Sequence, residues 1–151
     1  MVSMKENLLK VNHPLAPLTV EEVQTAIGIL KSEKALGEKV RFPTVTLREP
    51  VKEIVLNFVE GSEFPREVFF VVLDNEEVKT YEAIVSLNTG TVISYEEIEG
   101  VQPSIMPEEF IECENIVKAN PDFLAALATR GIDNPDLVMV DPWSAGYFGV
   151  P

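Results

Sequence analysis

The amino-acid sequence predicts an α+β fold, in which one amphipathic helix packs on an antiparallel β-sheet. A segment near residues 20–35 has apolar side chains at helical spacing. The roughly sixty residues that follow change to alternating apolar and polar residues, in short runs separated by turn residues. A helix followed by consecutive strands with short connections is typical of a helix-on-sheet layer.

The predicted helix has a well-marked start. Pro14 and Pro17 favour an extended arm before it, because a residue that precedes proline avoids helical geometry. Thr19 and Glu22 form a capping box, in which each side chain accepts a hydrogen bond from the other residue's backbone N–H. Gly37 is predicted to end the helix in the left-handed conformation. The buried face is predicted to contain Val23, Ala26, Ile27 and Leu30.

Five β-rich runs follow the helix, and turn residues separate them. Pro43 cannot donate a ladder hydrogen bond, so its strand is predicted to lie at an edge or to contain a bulge. The run Val68–Leu73 is apolar on both faces and is predicted to be the most buried strand. The predicted strands are Val40–Arg48, the alternating Ile54, Leu56 and Phe58, then Val68–Leu73, Tyr81–Leu87 and Thr91–Ile98.

A second, shorter region follows a linker at Gly100–Pro103. Pro107 is predicted to open one helix, and Asn120 to cap another that ends at Gly131. The predicted domains are a tail at 1–12, a complete domain at 13–100 and the truncated start of a second at 101–151. The inward residues are Met106, Phe110, Cys113 and Val117 on the first helix and Phe123, Leu124 and Leu127 on the second, with a short strand at Leu137–Val140.

Composition excludes several classes of function. The chain has 151 residues, with 12 Lys and Arg against 25 Asp and Glu, and the net charge of −13 repels nucleic-acid phosphates. The longest apolar run is far shorter than the roughly 20 residues of a membrane span. Residues 1–12 lack a signal-peptide pattern, so cytoplasmic residence is expected. Eight glutamates and no Lys or Arg lie in 80–117, which indicates a solvated acidic face or a field that attracts cationic small molecules.

Few residues are candidates for chemistry. One cysteine and one histidine exclude a disulfide framework and a histidine- or cysteine-based metal cage within this chain. His13 has no recognisable nucleophile beside it, and Cys113 is predicted to be a small buried apolar residue. Hydrolase activity that uses carboxylate side chains is one hypothesis for the chain, although no paired-acid motif supports it. The aromatic residues Trp143, Tyr147 and Phe148 are predicted to pack in a core or between domains, or to form a ligand wall.

Several stretches together resemble one known family. The run Val138–Gly146 resembles the start of the third N-terminal domain of copper-containing primary-amine oxidases. The segment His13–Thr19, followed by Glu21–Glu22, resembles the entry to that family's second domain. The segment Val85–Gly90 resembles a strand and turn of the same domain. The opening helix of the third domain is similar to Pro107–Phe110 and Cys113–Glu114. The resemblance implies two cystatin-like α+β domains, N2 and N3. N2 is whole and N3, an incomplete second copy of that type, is cut after its first strand.

The resemblance also implies a function for a longer parent protein. The parent would be a homodimer that oxidises primary amines to aldehydes, releasing ammonia and hydrogen peroxide, with copper and topaquinone in a β-sandwich domain. This chain is then a non-catalytic region packing on that sandwich, with no cofactor of its own. Tyr95 lies in a near match to the quinone motif, but Ser94 replaces its asparagine. Asp141 does not correspond to the family's catalytic aspartate.

Two residues match family positions at the mouth of the amine channel. The two residues are Phe110 and Trp143. An aromatic wall at the channel mouth would suit an apolar or aryl amine. The alternative hypothesis is a free-standing cystatin-like interaction module. In that case Phe110 and Trp143 would be covered by a partner or by a second copy of the chain.

Overall fold

A computed structural model describes residues 12–143. These residues fall into two compact units that divide between Pro103 and Ser104. Within them, no helix is long and apolar enough to cross a membrane. The first unit contains α1 (Val20–Lys34), β1 (Val40–Arg48), α2 (Lys52–Leu56), β2 (Glu67–Asp74), β3 (Lys79–Ser86) and β4 (Thr91–Glu97).

The start of α1 confirms the predicted capping box. The Glu22 N–H donates to Thr19 Oγ1 at 3.2 Å, and the Thr19 N–H donates to Glu22 Oε2 at 2.8 Å. The face that is fully buried repeats every four residues, at Glu22, Ala26 and Leu30. The predicted Val23 and Ile27 flank that face and are half-buried.

The end of α1 differs from the prediction. Gly37 is not the left-handed residue, because Ala35 takes that conformation, with φ of 50°. The next residue, Leu36, packs against the core of the first unit. The chain must therefore reverse immediately before Leu36, although alanine tolerates a left-handed backbone less well than glycine.

The four strands form one antiparallel sheet in the order β1-β2-β3-β4. Both expectations for Pro43 are confirmed, because β1 is an edge strand and its register shifts between Arg41 and Thr44. Alternate residues of β2 and β3 join Ala26 and Leu30 of α1 in one core. The fully buried strand residues of this core are Val68, Phe70, Val72, Ala83 and Val85.

The strand predicted from Ile54, Leu56 and Phe58 is wrong. This segment forms the short helix α2, which begins where the Ile54 N–H donates to the Val51 carbonyl at 3.0 Å. The helix ends where the Asn57 side chain donates to the Glu53 carbonyl at 2.8 Å. Three alternating residues do not outweigh these local hydrogen bonds, and Leu56 is 72% exposed.

A buried ion pair connects three parts of the first unit. The Arg66 guanidinium donates from Nε to Glu22 Oε1 at 2.7 Å and from Nη2 to Oε2 at 2.8 Å. It also donates to the carbonyls of Ala16 and Pro17 at 2.7 and 2.9 Å. The extended arm, the first turn of α1 and the residue before β2 are therefore held together by one side chain.

The second unit contains α3 (Pro107–Ala119), α4 (Pro121–Thr129) and a 3₁₀ turn at Pro135–Leu137. Asn120 caps α4 as predicted, since its Oδ1 accepts from the Asp122 and Phe123 N–H groups. The short strand predicted at Leu137–Val140 is wrong, because part of it is the 3₁₀ turn and the rest is irregular. Asn134 and Pro135 start that turn locally, and the described residues of this unit offer no strand for pairing.

The Glu22–Arg66 ion pair is predicted to be a large contributor to stability. Replacing Arg66 by Met leaves a buried carboxylate unpaired, which should lower the free energy of unfolding by about 3–5 kcal/mol. The matched control is Arg48→Met, which breaks the exposed pair with Glu67 and should cost at most about 1 kcal/mol. Urea denaturation followed by circular dichroism measures both, and equal losses would contradict the prediction.

The same pair predicts a dependence of stability on pH. Burial raises the pKa of Glu22, but the Arg66 hydrogen bonds, the Thr19 N–H and the Arg66 charge outweigh it, so this pKa lies below its ordinary value of 4.5. The ionised carboxylate therefore stabilises the fold above about pH 4.5, and this contribution falls as acid protonates it. The difference in free energy of unfolding between the unsubstituted chain and Glu22→Gln should shrink from pH 7 to pH 3. A constant difference would refute this assignment.

Candidate functional site

The two predicted channel-mouth residues both lie in the second unit. Phe110 is on α3 and 37% exposed, and Trp143 follows the 3₁₀ turn and is 83% exposed. Neither is therefore a core residue of the described part of this unit. The predicted partners of Trp143 in an aromatic cluster, Tyr147 and Phe148, lie outside the described residues.

The predicted inward faces of α3 and α4 are covered only in part. Among residues 104–143, Leu127 is the one residue that is buried. Cys113, predicted to be buried, is half-buried, and Leu124 is 38% exposed. The described residues of this unit thus leave much apolar surface open to solvent. The most exposed of these side chains are Ile111, Ile116, Leu137, Met139 and Trp143.

Asp141 is a neighbour of Trp143 that the sequence analysis did not assign. The Trp143 Nε1–H donates to Asp141 Oδ2 at 2.8 Å. Only Pro142 separates the two residues, so the sequence Asp-Pro-Trp is the feature from which this hydrogen bond could have been predicted. The carboxylate satisfies the single polar group of the indole and leaves its ring exposed.

His13 lies on the extended arm and has structural contacts. Its Nδ1 accepts a hydrogen bond from the Leu15 N–H at 3.1 Å, which puts the proton of the neutral ring on Nε2. The ring meets Phe58 edge-on, with 5.2 Å between centroids, and Phe58 meets Phe64 in the same way at 5.6 Å. These contacts anchor the arm and bring no nucleophile to the imidazole.

The acidic stretch at 80–117 is mostly solvated. Seven of its eight glutamates are exposed, and Glu114 is half-buried beside Lys118 at 2.7 Å. Lys79 pairs with Glu97 at 2.9 Å, and this hydrogen bond raises the pKa of the lysine. Two lysines adjacent to the stretch therefore neutralise part of its charge.

Tyr95, the residue in the near match to the quinone motif, stacks on a second tyrosine. Its ring is nearly parallel to that of Tyr81, with 4.6 Å between centroids and an interplanar angle of 18°. The Lys34 ammonium lies 5.4 Å from the Tyr95 centroid. Burial and the neighbouring Tyr81 raise the pKa of Tyr95 to about 12, so its hydroxyl stays neutral at ordinary pH.

A cleft in the first unit is lined entirely by described residues. An open cleft of about 360 Å³ lies beside the ends of β2 and β3. Among residues 12–143, no group of three or more His, Cys, Asp and Glu side chains is placed to hold a metal ion. The cleft is lined by Glu63, Phe64, Pro65, Glu67, Ser86 and Asn88.

Comparison with protein-family models decides the family. Residues 13–98 match the model "Copper amine oxidase, N2 domain", and residues 108–150 match "Copper amine oxidase, N3 domain". The chain belongs to the copper amine oxidase family. The resemblance found in the sequence, to the N2 and N3 domains, is thereby confirmed.

Individual relatives agree with this membership. The chain is 43% identical over 145 residues to a primary amine oxidase of Arthrobacter sp. (strain P1), covering 95% of this chain and 22% of that protein. It is 33% identical to a peroxisomal copper-containing diamine oxidase of Nicotiana tabacum, covering 89% of this chain and 22% of that one. It therefore spans about a fifth of the length of these relatives.

A solved structure supports the fold. A copper-containing benzylamine oxidase from Hansenula polymorpha superposes with a TM-score of 0.66 at 18% identity. The match covers 77% of this chain and 19% of that one. The predicted α+β class, a helix on an antiparallel sheet, is confirmed by the fold of the first unit and by this neighbour.

The family uses copper and topaquinone, and the described residues fit neither. His13 is the one histidine of the sequence. It contacts Leu15 and Phe58, neither of which has a side chain that binds a metal ion. Tyr95 stacks on Tyr81 within the sheet. Neither His13 nor Tyr95 is therefore placed with side chains that would bind copper beside it.

The raised pKa of Tyr95 predicts an alkaline titration. Spectrophotometric titration of phenolate absorbance should include one tyrosine that ionises near pH 12, and Tyr95→Phe should remove it. Because the folded state favours the neutral phenol, this group stabilises the fold below about pH 10, and the stabilisation is lost towards pH 12. A late transition of unchanged amplitude in Tyr95→Phe would refute the assignment.

Proposed function

We propose that this chain is the non-catalytic N2 and N3 region of a copper- and topaquinone-dependent primary-amine oxidase. The parent reaction converts a primary amine, dioxygen and water to an aldehyde, ammonia and hydrogen peroxide. The observation that carries the proposal is the order of the two family matches, at 13–98 and 108–150, in a chain spanning about a fifth of its relatives.

The physical task proposed for the chain is packing on the catalytic β-sandwich domain of the parent homodimer. The exposed apolar side chains of the second unit support this task. Leu137, Met139 and Trp143 are each at least 80% exposed, and burying such side chains against a partner is favourable. The first unit has its own core and supplies a rigid platform.

The finer part of the proposal concerns access to the active site. Phe110 and Trp143 line the mouth of the substrate channel in the parent enzyme. Their exposed aromatic surface would contact the ring of an aryl amine more than a methyl group. They would therefore affect capture of the substrate and leave the chemical step unchanged.

A second candidate is a free-standing interaction module that reuses the helix-on-sheet layer. The same exposed apolar surface favours it, if a second copy of the chain covers that surface. Light scattering combined with the emission of Trp143, the one tryptophan of the sequence, distinguishes the two candidates. A monomer with solvent-exposed indole emission supports the accessory region, and a dimer with blue-shifted emission supports the module.

The isolated chain is predicted to lack oxidase activity. Incubated with copper and then with benzylamine or tyramine, it should release no hydrogen peroxide and retain no tightly bound copper after dialysis. Among residues 12–143, no cluster of three or more His, Cys, Asp and Glu side chains is placed to hold a copper ion. Peroxide release above a heat-denatured control, measured with a coupled peroxidase assay, would overturn the non-catalytic assignment.

A chimaera tests the role in a whole enzyme. The matching segment of the Arthrobacter primary amine oxidase is replaced by this chain, which is 43% identical to it. The chimaera should assemble and oxidise methylamine and benzylamine. Trp143→Ala should then raise KM for benzylamine about 2- to 10-fold, the loss of one aromatic contact, with little effect on methylamine. Val78→Ala, at an exposed turn of the first unit, is the control.

Two results would contradict the proposal. A folded chimaera without oxidase activity would show that this chain cannot replace the region it matches. An unchanged KM for benzylamine in both Trp143→Ala and Phe110→Ala would remove these residues from the channel mouth.

A further inference from the structure

Trp143 combines high exposure with a specific hydrogen bond. Its side chain is 83% exposed, yet its Nε1–H donates to the Asp141 carboxylate at 2.8 Å. An exposed indole without such a contact exchanges among several rotamers on the picosecond-to-nanosecond timescale. A hydrogen bond to an ionised acceptor is stronger than one between neutral groups, and it favours the rotamer that forms it.

The contact is local to three residues. Pro142 separates donor from acceptor, and its ring holds φ near −65°, which reduces the number of ways in which the two side chains can be arranged. The donor and the acceptor are two residues apart, so the hydrogen bond forms within the segment 141–143. The sequence Asp-Pro-Trp itself contains the means of orienting the ring.

We propose that Asp141 is a positioning residue for Trp143, holding the indole by its N–H so that the ring is presented to the aryl group of an incoming amine. The carboxylate satisfies the only polar group of the indole, and the surface that remains is apolar and π-rich. Such a surface suits a benzyl ring more than a methyl group. The substrate part of this inference rests on the proposed function, whereas the positioning part does not.

The positioning part is tested in the 151-residue chain, where Trp143 is the one fluorescent tryptophan. Time-resolved anisotropy separates fast rotation of the ring from tumbling of the whole chain. In Asp141→Ala the amplitude of the fast component should about double, because rotamers released from the hydrogen bond interconvert freely. Asp141→Asn should change it less, because the amide oxygen still accepts a hydrogen bond.

Asp133→Asn is the matched control, since it removes a charge from an exposed aspartate of the same unit. It should leave the anisotropy decay unchanged. Circular dichroism of each variant excludes unfolding as the cause of a faster decay. If the fold is intact and the anisotropy decay of Asp141→Ala equals that of the unsubstituted chain, the positioning role is overturned.

The substrate part is tested in the active chimaera. Asp141→Ala should raise KM for benzylamine about 2- to 5-fold with kcat unchanged, Asp141→Asn should restore part of the loss, and methylamine should be unaffected. A faster anisotropy decay with an unchanged KM for benzylamine would retain the positioning role and overturn the placement of Trp143 at the channel mouth. An equal rise of KM for both amines would overturn the aryl-specific role.

Discussion

The first unit depends on the Glu22–Arg66 ion pair, because these are its most deeply buried charges. A buried carboxylate is tolerated only when its charge and its lone pairs are satisfied. Two guanidinium nitrogens and the Thr19 N–H provide that here, and the other Arg66 donors reach the arm carbonyls of Ala16 and Pro17. The arrangement constrains the arm, the helix start and the entry to β2 at once. Ala26 and Leu30 of the apolar core follow Glu22 on the same buried face of α1.

The two units differ in how well they bury their own apolar residues. In the first, α1 and alternate residues of β2 and β3 enclose a continuous core. In the second, α3 and α4 contact each other, but among residues 104–143 only Leu127 is buried. Free energy from apolar burial scales with the area removed from water, so the described residues of the second unit gain far less from their own packing. This difference supports the proposal that other parts of a longer protein cover the apolar surface of these residues.

The incorrect predictions share a physical cause. Ile54, Leu56 and Phe58 alternate over only five residues, and Leu137–Val140 is shorter still. Such short runs carry little information, because a strand also needs a neighbour with free backbone groups. Backbone and side-chain hydrogen bonds formed α2, and Asn134 capped the 3₁₀ turn. Likewise, the reversal after α1 falls at Ala35 because Leu36 must reach the core, although Gly37 tolerates that conformation better.

The sequence by itself determined the α+β class, the capping box at Thr19 and Glu22, four of the six predicted strands and the family. These depend on local hydrogen bonds and on regular periodicity, both of which are legible in the order of residues. Only the tertiary structure decided that Glu22 meets Arg66, that Tyr95 stacks on Tyr81 and that Trp143 is exposed. The first two contacts join residues of different elements, and exposure depends on what the folded chain covers. None of these can be read from residue spacing, because each depends on which segments the fold brings together.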